Sequence, residues 1–303
     1  MKEKILVFCG SDLASRASLI LACFLWALSF IASKAALEST PPLTVVTLRL
    51  IVSAFCFLAW ATYAKKNIYE MIRKGGVKLF LLSLSGTVLH YGTQTIGIAY
   101  TTASNASLYA VTAPISIALI SLIFFKEKLS TGKITGIIIA FCGVITVMGF
   151  GVLKNFAINS IIGDSLVFLS IVMWGVFTVF GKETSEKMGG AVNMTAAVTI
   201  TGAIAMIPFG AGEVIRAGFS FSNIAINAWI SILFLGITCS FAATFLYFKA
   251  LESMNSNEAG IYLYSIPPMT SIIAYFYSNE QITISFIAGA MLVLVGVFIT
   301  EKT

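Results

Sequence analysis

Charge is scarce in this chain. Only 11% of its 303 residues are Asp, Glu, Lys or Arg, less than half the roughly 25% of an ordinary soluble domain, and so little polar surface argues against a soluble fold. Aspartate occurs twice, as Asp12 and Asp164, and histidine once, as His90. Paired aspartates within a helix, an H-E-x-x-H run and other constellations for intramembrane catalysis are therefore missing, which argues against an enzyme. The five cysteines, Cys9, Cys23, Cys56, Cys142 and Cys239, are odd in number and follow neither a disulfide framework nor metal-ligand spacing. No metal site and no cofactor is expected. No Walker-type phosphate loop is present, so ATP is not the expected energy source.

What the chain has in abundance is apolar residue, 58% of the total. A hydrocarbon core about 30 Å thick requires runs of roughly 20 such residues, and ten are found, at 17–36, 43–63, 77–98, 104–125, 133–151, 162–181, 190–210, 227–248, 257–277 and 283–300. No A-x-A-like site closes the first run, which continues to the turn "ESTPPL" and reads as a helix instead of a cleaved signal. The net charge of +6 follows from topology and does not call for nucleic acid. With the N-terminus in the cytoplasm, fifteen Lys and Arg lie in or beside cytoplasmic loops and only Lys34, Lys154 and Arg216 lie outside, Arg49 within the second run being set aside. That asymmetry places both termini in the cytoplasm of a multi-pass cell-membrane protein.

The halves of the chain resemble each other. "WALSFIASKAALEST" aligns with "WGVFTVFGKETSEKM", pairing Trp26 with Trp174 and Lys34 with Lys182. Further on, Tyr109 matches Tyr262, Pro114 matches Pro267, Glu127 matches Glu280, and Gly136 and Gly143 match Gly289 and Gly296. Each half, residues 1–155 and 156–303, holds five runs. An odd number threads the second half through the membrane in the opposite sense, an inverted repeat that sets a shared site near the bilayer midplane and suits alternating access. The expected fold is all-α, with ten transmembrane helices in two inverted five-helix repeats around a central cavity.

Several segments carry a resemblance to a known family. "WALSFIASKAALESTPPLTVVTLRL", "GIAYTTASNASLYAVTAPISIALISLIFFKEKLSTGKITGIIIAFCGV" and "GDSLVFLSIVMWGVFTVFGK" resemble EamA-type proteins of the drug/metabolite transporter superfamily over nearly the whole chain. Relatives commonly have "WG" followed by Asn or a small polar residue in the first helix, whereas this chain has Trp26, Ala27 and Ser29. The resemblance implies ten helices with cytoplasmic termini, a cavity between the halves, and movement of small metabolites such as amino acids, often outward.

Candidate residues follow from depth and spacing. Pro114 and Pro267 each remove a backbone donor within a run and free the carbonyl four residues earlier, at Ala110 and Leu263; they read as hinges or as static kinks. Asn105, Tyr109 and Thr112, like Glu258, Tyr262 and Ser265, follow i, i+4, i+7 spacing and read as cavity lining or as interhelical glue. Glu258 either binds a substrate amine or proton, or sits at the cytoplasmic surface. Arg49, permanently charged, either holds a substrate carboxylate or snorkels and pairs with a neighbour such as Glu38. His90 and Gln94, one turn apart near the middle of the third run, are expected on the cavity wall, with Trp26, Trp174 and Tyr247 as aromatic walls. The glycine seam is scaffold or a homodimer contact.

The function these features point to is secondary active transport of a small metabolite, an amino acid or related amphipathic compound, with export as the expected direction. The alternative is an antiporter of a nucleotide sugar or other phosphorylated metabolite, for which Arg49 and Lys34 are few cations. A passive channel would show a continuous polar stripe.

Overall fold

A chain that places apolar side chains all round its helices and has no water to satisfy its backbone must close every hydrogen bond within the helix. The computed structural model describes residues 2–126, 130–155, 158–251 and 262–302, and among these the regular structure is entirely helical. Glu127 and Glu258 lie outside the described residues. In chain order the α-helices are α1 (Lys2–Leu37), α2 (Pro42–Tyr63), α3 (Ile68–Ser83), α4 (His90–Tyr100), α5 (Ala103–Ala110), α6 (Ala113–Phe125), α7 (Thr131–Asn155), α8 (Ile158–Lys187), α9 (Ala191–Ala217), α10 (Ile226–Phe234), α11 (Thr244–Leu251), α12 (Ile266–Tyr277) and α13 (Ile284–Lys302).

Among the described residues, five stretches are long and apolar enough to cross a membrane: Leu13–Leu37, Pro42–Tyr63, Ser160–Lys187, Ala191–Ala217 and Ile226–Leu251. A sixth is the pair α5 and α6, bent by 42° at the break between them. Two shorter apolar helices, Thr131–Val147 and Ile284–Thr300, accompany them. Helix starts carry the expected signals. Proline opens α2, where a missing N–H costs nothing, and the side chains of Asn67 and Thr102 cap α3 and α5.

Packing ties the two halves together. The most extensive helix contacts are α7 with α13, α2 with α9 and α4 with α8, each joining the first half to the second. The α7–α13 contact uses the four glycines of the seam on each other. A Cβ on Gly143 would come within 2.7 Å of the Gly289 carbonyl oxygen and the Val293 nitrogen, and one on Gly289 within 2.8 Å of the Gly143 carbonyl oxygen. The seam is thus occupied within the chain. Large apolar side chains left outside, among them Ile123, Phe124 and Phe125 on α6, suit contact with lipid.

Two stretches depart from α geometry at corresponding places. Leu84–Leu89 joins α3 to α4 as a π-helix, and Leu235–Ala243 joins α10 to α11 in the same way. Such wide turns shift the register of the following helix and occur often beside functional sites. The residues that follow them, His90 and Tyr91 in one half and Thr244 and Tyr247 in the other, line one cavity.

Candidate substrate cavity

The cavity lies between the halves and measures about 110 Å³. Residues of α1, α2, α4, α8 and α11 form its walls, and the breaks on either side of Thr112 and Ser265 complete it. Trp26 and Trp174, matched in the repeat, each stand at an aromatic corner of it. At one, the Trp26 and Tyr247 rings lie 5.0 Å apart between centroids; at the other, Trp174 and His90 lie 5.2 Å apart. Trp26 also donates from Nε1 to the Cys239 carbonyl at 3.3 Å, which ties the first half to the π-helical stretch of the second.

His90 is buried and faces this cavity. Its Nδ1 lies 2.9 Å from the Ser170 carbonyl oxygen. A carbonyl can only accept, so Nδ1 carries the proton and donates, and in the neutral imidazole Nε2 is left with its lone pair. Gln94, one turn further, lines the same cavity.

Arg49 is 3% exposed and does not snorkel to an interface or pair with Glu38. Its Nε donates to Ser240 Oγ at 3.0 Å, and its Cζ stands 4.5 Å above the centre of the Tyr91 ring. Among the described residues no carboxylate lies within 4.0 Å of it, and its terminal guanidinium nitrogens have no hydrogen-bond partner. The charge therefore belongs to the cavity wall, held by a ring face and a hydroxyl.

Pro114 and Pro267 each stand in the first turn of a new helix, α6 and α12. Just before each, the chain breaks in the same manner. Thr112 donates to the Tyr109 carbonyl from N at 3.0 Å and from Oγ1 at 2.7 Å; Ser265 donates to the Tyr262 carbonyl from N at 3.1 Å and from Oγ at 2.6 Å. The carbonyls that the prolines free, of Ala110 and Leu263, belong to residues lining the cavity.

Three expected residues lie elsewhere. Tyr109 is fully buried in the core with Phe30 and Ile31, and Tyr262 packs against the same core. Asn105 and Tyr109 are grouped instead around Asp164, whose carboxylate accepts from Thr101 Oγ1. The Tyr109 hydroxyl faces that carboxylate without a hydrogen bond of normal geometry. The physical reason is the direction of that face. Asn105 and Tyr109 do share a face of α5, but it is Ala110, about 100° further round the helix, that lines the cavity.

Sequence reasoning did not single out Ser29 and Thr244 at the cavity, Ser240 as the arginine's partner, or Ser170 as the histidine's. Small hydroxyls in apolar runs carry no distinguishing pattern.

A second layer closes the molecule at the end where α2 and α5 begin. Glu213 Oε2 accepts from Thr44 N and Oγ1 at 2.7 and 2.9 Å. Glu280 accepts from Ala103 N at 2.7 Å and from Ser104 N and Oγ at 3.1 and 2.7 Å. Each carboxylate of the second half thus caps a helix N-terminus of the first, where free N–H groups and the helix dipole favour a negative charge.

Comparisons with known proteins agree with this geometry. Residues 16–149 and 161–301 each match the profile of the EamA-like transporter family. Two uncharacterized transporters of Archaeoglobus fulgidus are 29% identical over 93% of this chain and 95% of the relative, and 27% identical over 91% and 95%. The uncharacterized transporter YoaV of Bacillus subtilis is 24% identical over 92% of this chain and 94% of its own. A crystal structure with 15% sequence identity superposes with a TM-score of 0.67 over 96% of this chain and 97% of that one, a likeness of fold alone.

Proposed function

The chain belongs to the EamA-like transporter family, a family of multi-pass membrane transporters and not of enzymes, and from that premise we propose that it moves a small amphipathic metabolite, an amino acid or close relative, by alternating access. Ten transmembrane helices in two inverted five-helix repeats, with both termini cytoplasmic and export as the direction, complete the reading. The observation that carries it is the cavity between the halves, where the Arg49 guanidinium, without a carboxylate partner among the described residues, meets two aromatic corners. A charge held inside a membrane without a counter-ion marks a substrate or ion path.

The size of the cavity supports a single small metabolite. About 110 Å³ approaches the roughly 150 Å³ that admits one benzene molecule, and a nucleotide sugar would not fit in this conformation. The Glu213 and Glu280 caps support closure at one face, since both cross between the halves and neither lies in the cavity. Alternating access then consists of breaking these ties while contacts at the opposite face form.

The test is flux across a panel of amino acids, organic acids and amines in cells expressing the protein. The expected result is saturable, gradient-dependent movement of at least one small carboxylate-bearing compound, lost on replacement of Arg49. No gradient-dependent movement of any compound would overturn the reading.

A further inference from the structure

Beyond the presence of a carboxylate site, the cavity carries acceptors for an opposite charge. We infer that it reads a zwitterion as such, with Arg49 taking the carboxylate and the carbonyls of Ala110 and Leu263 taking the ammonium. This rests on the cavity being the transport site.

The anionic end follows from Arg49. Its Nε is used on Ser240 and its Cζ stands 4.5 Å over the Tyr91 ring, so the side chain is held while its outer fork stays unpaired among the described residues. A planar fork of N–H donors matches the two oxygens of a carboxylate. A carboxylate seated there also removes the cost of a buried charge without a partner.

The cationic end follows from the two helix breaks. Residues 114 and 267 have no N–H to donate, and the nearby hydroxyls of Thr112 and Ser265 are committed to Tyr109 and Tyr262. Among the described residues no backbone donor reaches the Ala110 or Leu263 carbonyl. Ala110 closes α5, where the helix dipole is negative. An ammonium has three donors and no acceptor, and the bare Nε2 of His90 on the same wall offers a third partner. All three acceptors are neutral. A bare amine would therefore meet Arg49 without an anion to offset it, and a bare acid would leave the carbonyls unpaired.

The experiment is a binding titration by intrinsic tryptophan fluorescence on purified protein in nanodiscs. The probes are L-alanine and L-serine, their amides, and the matching acids without the amine, propanoate and 3-hydroxypropanoate. At least one zwitterion is expected to bind about 100-fold more tightly than its amide or its acid, the scale of rejection by a site with polar groups left unpaired. Pro114→Ala supplies an N–H that competes for the Ala110 carbonyl and is expected to weaken that zwitterion about tenfold, the cost of one competed charged hydrogen bond, with binding of the acid unchanged. Pro267→Ala should do the same at Leu263. Arg49→Gln should reduce the zwitterion to the level of its amide, and Arg49→Lys, a milder change to the fold, should weaken it while the amide stays rejected.

Equal weakening of zwitterion and acid by the proline variants overturns the clamp, as does an amide that binds as tightly as its amino acid. Failure of both zwitterions to bind, alongside gradient-driven flux of an amine or an acid lacking the other charge, overturns the clamp and leaves transport standing. An empty flux panel overturns transport itself.

Discussion

Arg49 stands over the ring of Tyr91, Cζ 4.5 Å from its centre, while its Nε bonds Ser240 of the other half at 3.0 Å. The contact spans α2, α4 and the π-helical stretch Leu235–Ala243, so one buried charge joins two helices that border the cavity to a third element of the other half.

Because the guanidinium has no anionic partner among the described residues, its burial works against stability. Arg49→Met is expected to leave the melting temperature in detergent unchanged or raised, since replacing a buried charge with an apolar side chain of similar volume is often neutral or stabilising by about 1–4 kcal/mol. Flux should meanwhile fall by about 100-fold. A marked drop in melting temperature with flux retained would show a structural Arg49.

His90 is the only histidine in the chain, so nitrogen-15 labelling of histidine gives a spectrum of one imidazole. The Ser170 contact predicts a proton on Nδ1. A spectrum of the Nε2–H tautomer would contradict the assigned hydrogen bond, and an imidazolium, which would keep that bond, would remove Nε2 as an acceptor.

Close approach of α7 and α13 makes the seam sensitive to a single methyl group. Gly143→Ala places a Cβ 2.7 Å from two backbone atoms of α13, and overpacking of this kind costs about 1–3 kcal/mol. Thermal unfolding of the detergent-solubilised protein should show a lower midpoint. Gly212→Ala, with nothing within 4 Å of the new Cβ, is the control and should melt as the parent does.

The carboxylate caps predict a gate. Charge at a helix N-terminus contributes about 0.3–1 kcal/mol, so Glu213→Gln and Glu280→Gln together should shift opening of that face by about tenfold. A single cysteine at Ser29, which lines the cavity, reports this through its rate of labelling by a membrane-impermeant thiol reagent in a cysteine-free background. Equal rates with and without the two substitutions would mean that the ties only fix the helices.

Much of this cavity is legible in the sequence, and the reasons differ by residue. Trp26 and Trp174 stand out because an internal repeat matches them, and the structure sets each against a second aromatic ring at the same cavity. Pro114 and Pro267 announce broken helices because the missing donor is written in the residue type. The π-helical stretches leave no such mark, since a changed hydrogen-bond register has no composition of its own. Arg49 shows its depth along the chain but not its direction, which depends on which face of α2 meets the other half. Asn105, Tyr109 and Tyr262 are misplaced for a related reason. Spacing groups residues on a face without giving its direction, and the face of Asn105 and Tyr109 meets Asp164 while the next residue, Ala110, meets the cavity.

The most direct measurement of the central claim is counterflow in proteoliposomes, comparing the parent protein with Arg49→Gln at matched reconstitution. Vesicles loaded with an unlabelled amino acid should accumulate the labelled one transiently and saturably through the parent, and fail to do so through the variant. Equal counterflow through both, or none through the parent for any amino acid tested, would contradict a cavity in which Arg49 holds the substrate.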